Sequence, residues 1–307
     1  MLSRPDVLVL GGGGVLGETW LMGALAGIED ATGLDLRGCE YFVGTSAGSI
    51  VAAHLVAGRR PRRPTGGATE RSSPAHQPDT ALAFSARRAI LQASRFALAA
   101  SAPVIEATMT VSRPGGAIAR ALMLSRLPSA NGSLAHLHES IERLGARFDG
   151  RLRVVAVERH SGRREVFGSP GAPRATVAQA VTASCTVPWL FSPVTIGNRD
   201  YVDGGVWSPT NMDIAPARRD THVLCLNPTA AITSAHTLGA LARRLSRSAV
   251  ALESLVLRRR GAIVESFGPD PGAAVAMGAD FMDPEPRERV LAAGYVQGLG
   301  IGEGVPD

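Results

Sequence analysis

The stretch LVLGGGGVLGETW, Leu8 to Trp20, places four consecutive glycines between an apolar run and a helical pattern. Val7-Leu8-Val9-Leu10 is continuously apolar and of strand length, as in a strand buried on both faces. Beyond the glycines, Leu21, Leu25 and Ile28 recur at helical spacing, and Thr32-Gly33 supplies a stop signal. The stretch reads as strand, glycine loop, helix. Such a loop presents backbone N–H groups beside the positive end of a helix, where negative charge is favoured. That charge can be a bound phosphate or an oxygen charged only in a transition state. A tight turn with no ligand is the plain alternative.

Gly12, Gly14 and Gly17 also satisfy G-x-G-x-x-G, so a nucleotide-binding protein using the loop for phosphate must be weighed. That reading needs an acidic residue closing the second strand to hold a ribose hydroxyl. Asp35 and Glu40 both precede the next apolar run, Tyr41-Phe42-Val43, which ends in Gly44-Thr45-Ser46-Ala47-Gly48. The nucleotide reading fails at this second requirement. What stands there is G-x-S-x-G, a serine on a sharp strand-to-helix turn, with a helix expected over 50–57 and Gly58 as its cap. Gly44 and Gly48 leave room for a strained elbow that holds the Ser46 hydroxyl out of the sheet. Adjacent βα turns of a parallel sheet face one crevice beyond the strand ends. The glycines are then placed to stabilise an oxyanion opposite a nucleophile.

A serine hydroxyl needs a base. An α/β-hydrolase-like esterase with a Ser-His-Asp triad runs serine, acid, histidine along the chain. Of the seven histidines, only His222 and His236 follow a good acid candidate, and neither stands in a catalytic motif. His222 opens the apolar run Val223-Leu224-Cys225-Leu226, and His54 lies on the helix after the elbow. The acid is better placed. In YVDGGVWSPTN, Tyr201 to Asn211, Asp203 ends a short strand and enters a turn made by Gly204-Gly205. A carboxylate there can touch a serine directly, and burial would raise its reference pKa of about 3.9 toward that of a working base.

These three stretches, in this order, resemble the patatin-like phospholipase family. ASCTVPWLFSPVTI (Ala183 to Ile196) and the late GADFMDPEPRERVLAAGYVQG are similar to the family as well. The resemblance implies a three-layer α/β/α sandwich with a central, mostly parallel sheet, and lipid acyl hydrolysis of phospholipase A or general carboxylesterase type. It places the nucleophile at Ser46, the base at Asp203 and the oxyanion hole at Gly12, Gly13 and Gly14. Gly17, Gly44, Gly48, Gly204 and Gly205 support the motifs. Leu16 departs, standing where many members carry a basic residue, which bears on any preference for phosphate-bearing headgroups. A non-catalytic lipid-binding module of the same fold would bind lipid without turnover; intact Ser46 and Asp203 argue against it.

Composition fits this class. The 307 residues, 45% hydrophobic, suffice for one large α/β domain over 1–307. Cys39, Cys185 and Cys225 are scattered without metal-ligand spacing and suit a reduced compartment; no metal and no cofactor is expected. The glycine loop comes before any signal-peptide core, and no apolar run is long enough to span a bilayer, so a cytoplasmic enzyme is expected. Every basic residue is arginine, with a formal net charge of +5. Most arginine clusters read as solvated surface, and the sharper reading is peripheral contact with an anionic membrane. Nucleic acid is disfavoured, because aromatics make up only 5% and no recognition motif accompanies the arginines. Residues 59–80, rich in Pro, Gly, Ser and Arg, read as a mobile loop. Residues 81–127 read as a helical insertion, either packed on the domain or forming a lid. From residue 152 the strand–helix alternation resumes.

Overall fold

A computed structural model describes residues 2–65, 114–126, 132–231 and 237–304. The first apolar run forms β1 (Val7–Leu10), the glycine loop follows, and α1 (Gly14–Thr32) stops at Gly33 in the left-handed conformation, φ 72°. The second run forms β2 (Tyr41–Thr45), and α2 (Ala47–Val56) begins directly after Ser46. Then come α3 (Pro114–Arg126), α4 (Ala135–Leu144), β3 (Leu152–Glu158), β4 (Arg164–Phe167) and α5 (Val177–Ser184). The chain continues through β5 (Val194–Ile196), β6 (Arg199–Asp203), β7 (His222–Leu226) and α6 (Thr237–Arg259). It closes with β8 (Ile263–Phe267), α7 (Pro271–Met277) and α8 (Arg287–Glu303).

The strands form one sheet of hydrogen-bonded order β5-β6-β3-β2-β1-β7-β8, with β4 also on β3. The run from β3 to β8 is parallel, and β4, β5 and β6 pair antiparallel. Successive strand residues point to opposite faces, so each strand feeds two cores. Leu8, Leu10, Phe42, Val154, Tyr201 and Leu224 pack with α1, α2, α5 and α8. Val7, Val9, Val43, Val155 and Cys225 pack on the other face with Met212 and with Leu257 of α6. Helices on both faces of a mostly parallel sheet give the expected α/β/α layering.

Two features of this frame position the loop and elbow. Helix α8 runs in backbone contact with α1, since a Cβ on Gly27 would meet the Tyr295 carbonyl and one on Gly298 that of Ala24. Trp20 Nε1 seals the pair by donating to Gln297 Oε1 at 2.9 Å in the core. The late, sequence-similar stretch thus fixes the helix that leaves the glycine loop. The second feature is the register of β3. Its residues 154–157 pair with β4, so β4 takes one edge, and the other edge is shared. There β2 pairs up to Thr45 opposite Val155, and β6 takes over with Asp203 opposite Ala156. Strands β2 and β6 thus meet end to end along one edge of β3.

Of the loop expected at 59–80, residues 66–80 lie outside the described residues; Arg63 in the remainder pairs with Asp30 at 2.6 Å. Of the insertion expected at 81–127, residues 81–113 and 127 lie outside them. The rest is α3, which packs Leu124 against Val157 and Val202 and sets the Arg120 guanidinium 3.8 Å from the Trp207 ring centroid.

Candidate active site

Ser46 occupies the single position between β2 and α2, at φ 51° and ψ −123°. A non-glycine residue in such a conformation costs about 1–3 kcal/mol and persists only where its surroundings impose it. The surroundings here are crowded. A Cβ on Gly48 would run into the Leu10 carbonyl, and one on Gly44 would lie 2.8 Å from Ser49 N. Any larger residue at 44 or 48 would push α2 away from the sheet. Ser49 locks the turn from the helix side, its N–H at 2.8 Å and its hydroxyl at 2.6 Å both donating to the Ser46 carbonyl.

Asp203 comes to the same point from β6. Its side chain is buried, and one carboxylate oxygen accepts the Gly205 N–H at 2.7 Å. Burial pushes its pKa up to about 6, opposed by hydrogen bonds from the Gly205 N–H and the Ser46 side chain. The structure therefore brings Ser46 and Asp203 together, with no histidine of the described residues between them. Among the described residues, His54 lies on α2 seven positions beyond Ala47, about 10 Å along a helix of 1.5 Å rise. His222 begins β7, at the strand end away from the glycine loop, with its Nδ1 3.3 Å from Ser3 Oγ. His236 lies outside the described residues.

The glycine loop faces Ser46, since a Cβ on Gly12 would sit 3.3 Å from Ser46 Cβ. Its four N–H groups are not equivalent. Gly11 donates to the Leu226 carbonyl at 2.9 Å and Gly12 to the Pro209 carbonyl at 2.8 Å. Those of Gly13 and Gly14 meet no acceptor among the described residues, and Gly13 caps α1 without a side-chain bond. The Gly12 N–H is taken because the chain after Asp203 folds back over it, which leaves those of Gly13 and Gly14 unclaimed among the described residues. Gly14, at φ 59°, is where the backbone conformation itself favours glycine. Gly13 is extended at φ 166°, and what excludes a side chain there is crowding: a Cβ would stand 2.6 Å from Pro228 Cβ and 2.9 Å from Gly17 Cα.

Three groups at the site were not singled out from sequence. Ser184, at the end of α5, accepts the Ser46 N–H at 2.8 Å and donates to the Val155 carbonyl at 2.6 Å. Asn211, left-handed at φ 50°, donates its amide to Thr45 Oγ1 at 3.1 Å and to the Gly204 and Ser208 carbonyls, tying the loop after Asp203 to β2. Glu253 of α6 accepts from Thr210 Oγ1 at 2.6 Å and from Met212 N–H at 2.8 Å, and burial pushes its carboxyl up to about 7. A serine ending a short helix and an asparagine after Ser-Pro-Thr were the available signals.

A family model described as patatin-like phospholipase matches residues 8–216, from β1 through the loop that follows Asp203. The chain belongs to the patatin-like phospholipase family. As a family of lipid acyl hydrolases, patatin-like phospholipases act on lipid substrates. Among solved structures, this patatin-like chain is similar to VipD from Legionella pneumophila, at 16% identity and a TM-score of 0.46, covering 98% of this chain and 67% of that one. It is also similar to the heterodimeric ExoU–SpcU complex of the Pseudomonas aeruginosa type III secretion system, at 22% identity and a TM-score of 0.35. That likeness covers 97% of this chain, which spans about half, 51%, of the other. Comparison with curated proteins gives no match. Among the described residues, no helix is long and apolar enough to cross a membrane.

Proposed function

We propose that this chain hydrolyses lipid acyl esters through a Ser46–Asp203 dyad, with the N–H groups of Gly13 and Gly14 as oxyanion donors. The observation that carries the reading is the buried Asp203, brought beside Ser46 where β6 takes over from β2 on the edge of β3, opposite a helix start with unclaimed donors. Asp203 takes the hydroxyl proton as Ser46 Oγ attacks the ester carbonyl carbon. The carbonyl oxygen becomes an anion between the two N–H groups, in the field of the α1 N-terminus. Collapse breaks the ester C–O bond, and the departing alcohol receives the proton from Asp203. Water repeats the cycle on the acyl-enzyme. A pKa of about 6 suits both duties, leaving Asp203 ionised at neutral pH yet more basic than an ordinary carboxylate. Acylation should therefore rise with pH through about 6 in single-turnover measurements on a p-nitrophenyl ester; a flat profile across that range would remove Asp203 as the base.

We read residues 1–307 as one unit acting peripherally on lipid surfaces. The family match ends at residue 216, but β7 and β8 extend the same sheet and α8 packs along α1. The net charge of +5 favours anionic surfaces, where a basic residue contributes about 1 kcal/mol.

Labelling with a fluorophosphonate, followed by mass spectrometry of the modified residue, tests the assignment directly. The oxyanion donors have their own test. In Gly13→Ala the new methyl group must displace either Pro228 or the first turn of α1, turning the N–H groups away from the developing charge. Loss of one such donor lowers the rate by roughly 10²–10³-fold. The same fall is expected in kcat for a soluble ester, with circular dichroism unchanged. Full activity in the folded variant would remove Gly13 from the hole.

A further inference from the structure

We propose that Ser184 is a positioning residue for the reaction, its hydroxyl wedged into the β2–β3 ladder to hold the Ser46 backbone off the sheet and beside Asp203. This rests on the reading of Ser46 as nucleophile and Asp203 as base. In a parallel pair with Thr45 opposite Val155, the next ladder bond would run from the Ser46 N–H to the Val155 carbonyl. That bond is interrupted. The Ser46 N–H donates to Ser184 Oγ at 2.8 Å, and Ser184 Oγ donates to the Val155 carbonyl at 2.6 Å.

The polarity of the bridge is fixed, because a hydroxyl has one proton, spent here on Val155, and must accept from Ser46. A direct N–H···O bond would span about 2.9 Å. The two-step bridge holds donor and acceptor further apart, and the interval is where β2 leaves the edge of β3 and β6 takes it over. Ser184 is fully buried, so solvent cannot supply the bridge from outside.

The same turn grips the base. Two residues on, the Thr186 carbonyl accepts the Asp203 N–H at 2.9 Å. Between them Cys185 lies against Ser49, with Sγ 3.9 Å from Ser49 Oγ. Residues 184–186 therefore hold the nucleophile's backbone at one end and the base's backbone at the other. Without the hydroxyl, the Ser46 N–H can close directly onto Val155, drawing the elbow toward the sheet and changing the Oγ-to-carboxylate geometry. A displacement of about 1 Å in a reacting group can lower a rate by about 10²-fold.

The test uses the full chain carrying Ser184→Ala or Ser184→Cys. The cysteine fills the same space, but its thiol is a poor hydrogen-bonding partner. Fluorophosphonate titration counts reactive sites, and single-turnover acylation by a p-nitrophenyl ester gives the rate constant for each site. Both variants should titrate to wild-type stoichiometry per folded molecule, acylate about 10²-fold more slowly per site, and keep KM within about twofold. Ser184→Thr, which retains the hydroxyl, should recover part of the lost rate. Should the alanine variant fail to fold, the cysteine variant decides. A wild-type rate constant per titrated site, with only the number of active molecules reduced, would make Ser184 merely structural and overturn the proposal. If the probe leaves wild-type Ser46 unmodified, the underlying reading fails instead; labelling at Ser46 with no effect of Ser184 sinks this inference alone.

Discussion

Replacing Ser46 with alanine should abolish ester hydrolysis, by about 10⁴-fold or more, while leaving the fold intact. The size follows from what is lost: without the nucleophile, only substrate binding and the oxyanion donors remain. Structural damage should be small. The elbow is held by Ser46 backbone atoms, its N–H on Ser184 and its carbonyl on Ser49, and alanine keeps both contacts. Alanine also keeps the Cβ, so the strain at φ 51° is unchanged. Two measurements check this. Hydrolysis of p-nitrophenyl esters and of phospholipid vesicles should fall to background at an unaltered melting temperature, and fluorophosphonate should no longer attach. A probe adduct on another serine of the wild type would remove Ser46 from its role.

The second large effect is expected at Asp203, with opposite signs for activity and stability. Asp203→Asn removes the proton acceptor, so acylation should fall by about 10³-fold or more, near the effect of losing a general base within a catalytic set. The amide oxygen can still accept the Gly205 N–H, so the turn is retained. Stability should change with pH. Folding raises the carboxyl from 3.8 to about 6, so the folded state favours the protonated form. The stabilisation this gives is complete below 3.8 and lost as pH rises through about 6. A rise of that size corresponds to about 3 kcal/mol of burial cost for the ionised form at pH 8. Asparagine does not carry that cost, so the inactive variant should melt higher than wild type at pH 8 and close to it at pH 4. His54→Ala and His222→Ala should acylate at wild-type rates when folded. A histidine variant as inactive as Ser46→Ala, beside an active Asp203→Asn, would replace the dyad with a Ser–His mechanism.

Much of the frame was legible because its signals are local. Val7–Leu10 and Tyr41–Thr45 are short apolar runs ended by glycine-rich turns, and β1, β2 and the elbow follow from them. Asp203-Gly204-Gly205 reads as a strand end for the same reason. The parts that were not legible depend on which strand end meets which. Whether Gly12 keeps its N–H free is decided by Pro209, a residue far along the chain that folds back over the loop. Nothing in the residues around Ser184 sets it apart, because its meaning comes from Val155 and Ser46 lying on either side of it. The crowding at Gly13 likewise comes from Pro228, not from the glycine's own backbone angles. Local periodicity specifies elements; the partners of their polar ends are set only when the sheet closes.

The meeting of β2 and β6 on one edge of β3 also sets the order in which the chain can bring Ser46 and Asp203 together. A single domain folds as a unit, and its long-range strand pairings carry the larger loop-closure cost. Only after β3 has docked does an edge exist for β6, and β6 carries Asp203 to Ser46. The pairing of β3 with β6 joins residues close in sequence compared with that of β1 with β7, so the first arises early and the second late in any search governed by loop closure. The glycine loop needs that late step too, because Gly11 is anchored on Leu226 at the end of β7. The juxtaposition of Ser46, Asp203 and the glycine loop is thus a property of the finished sheet.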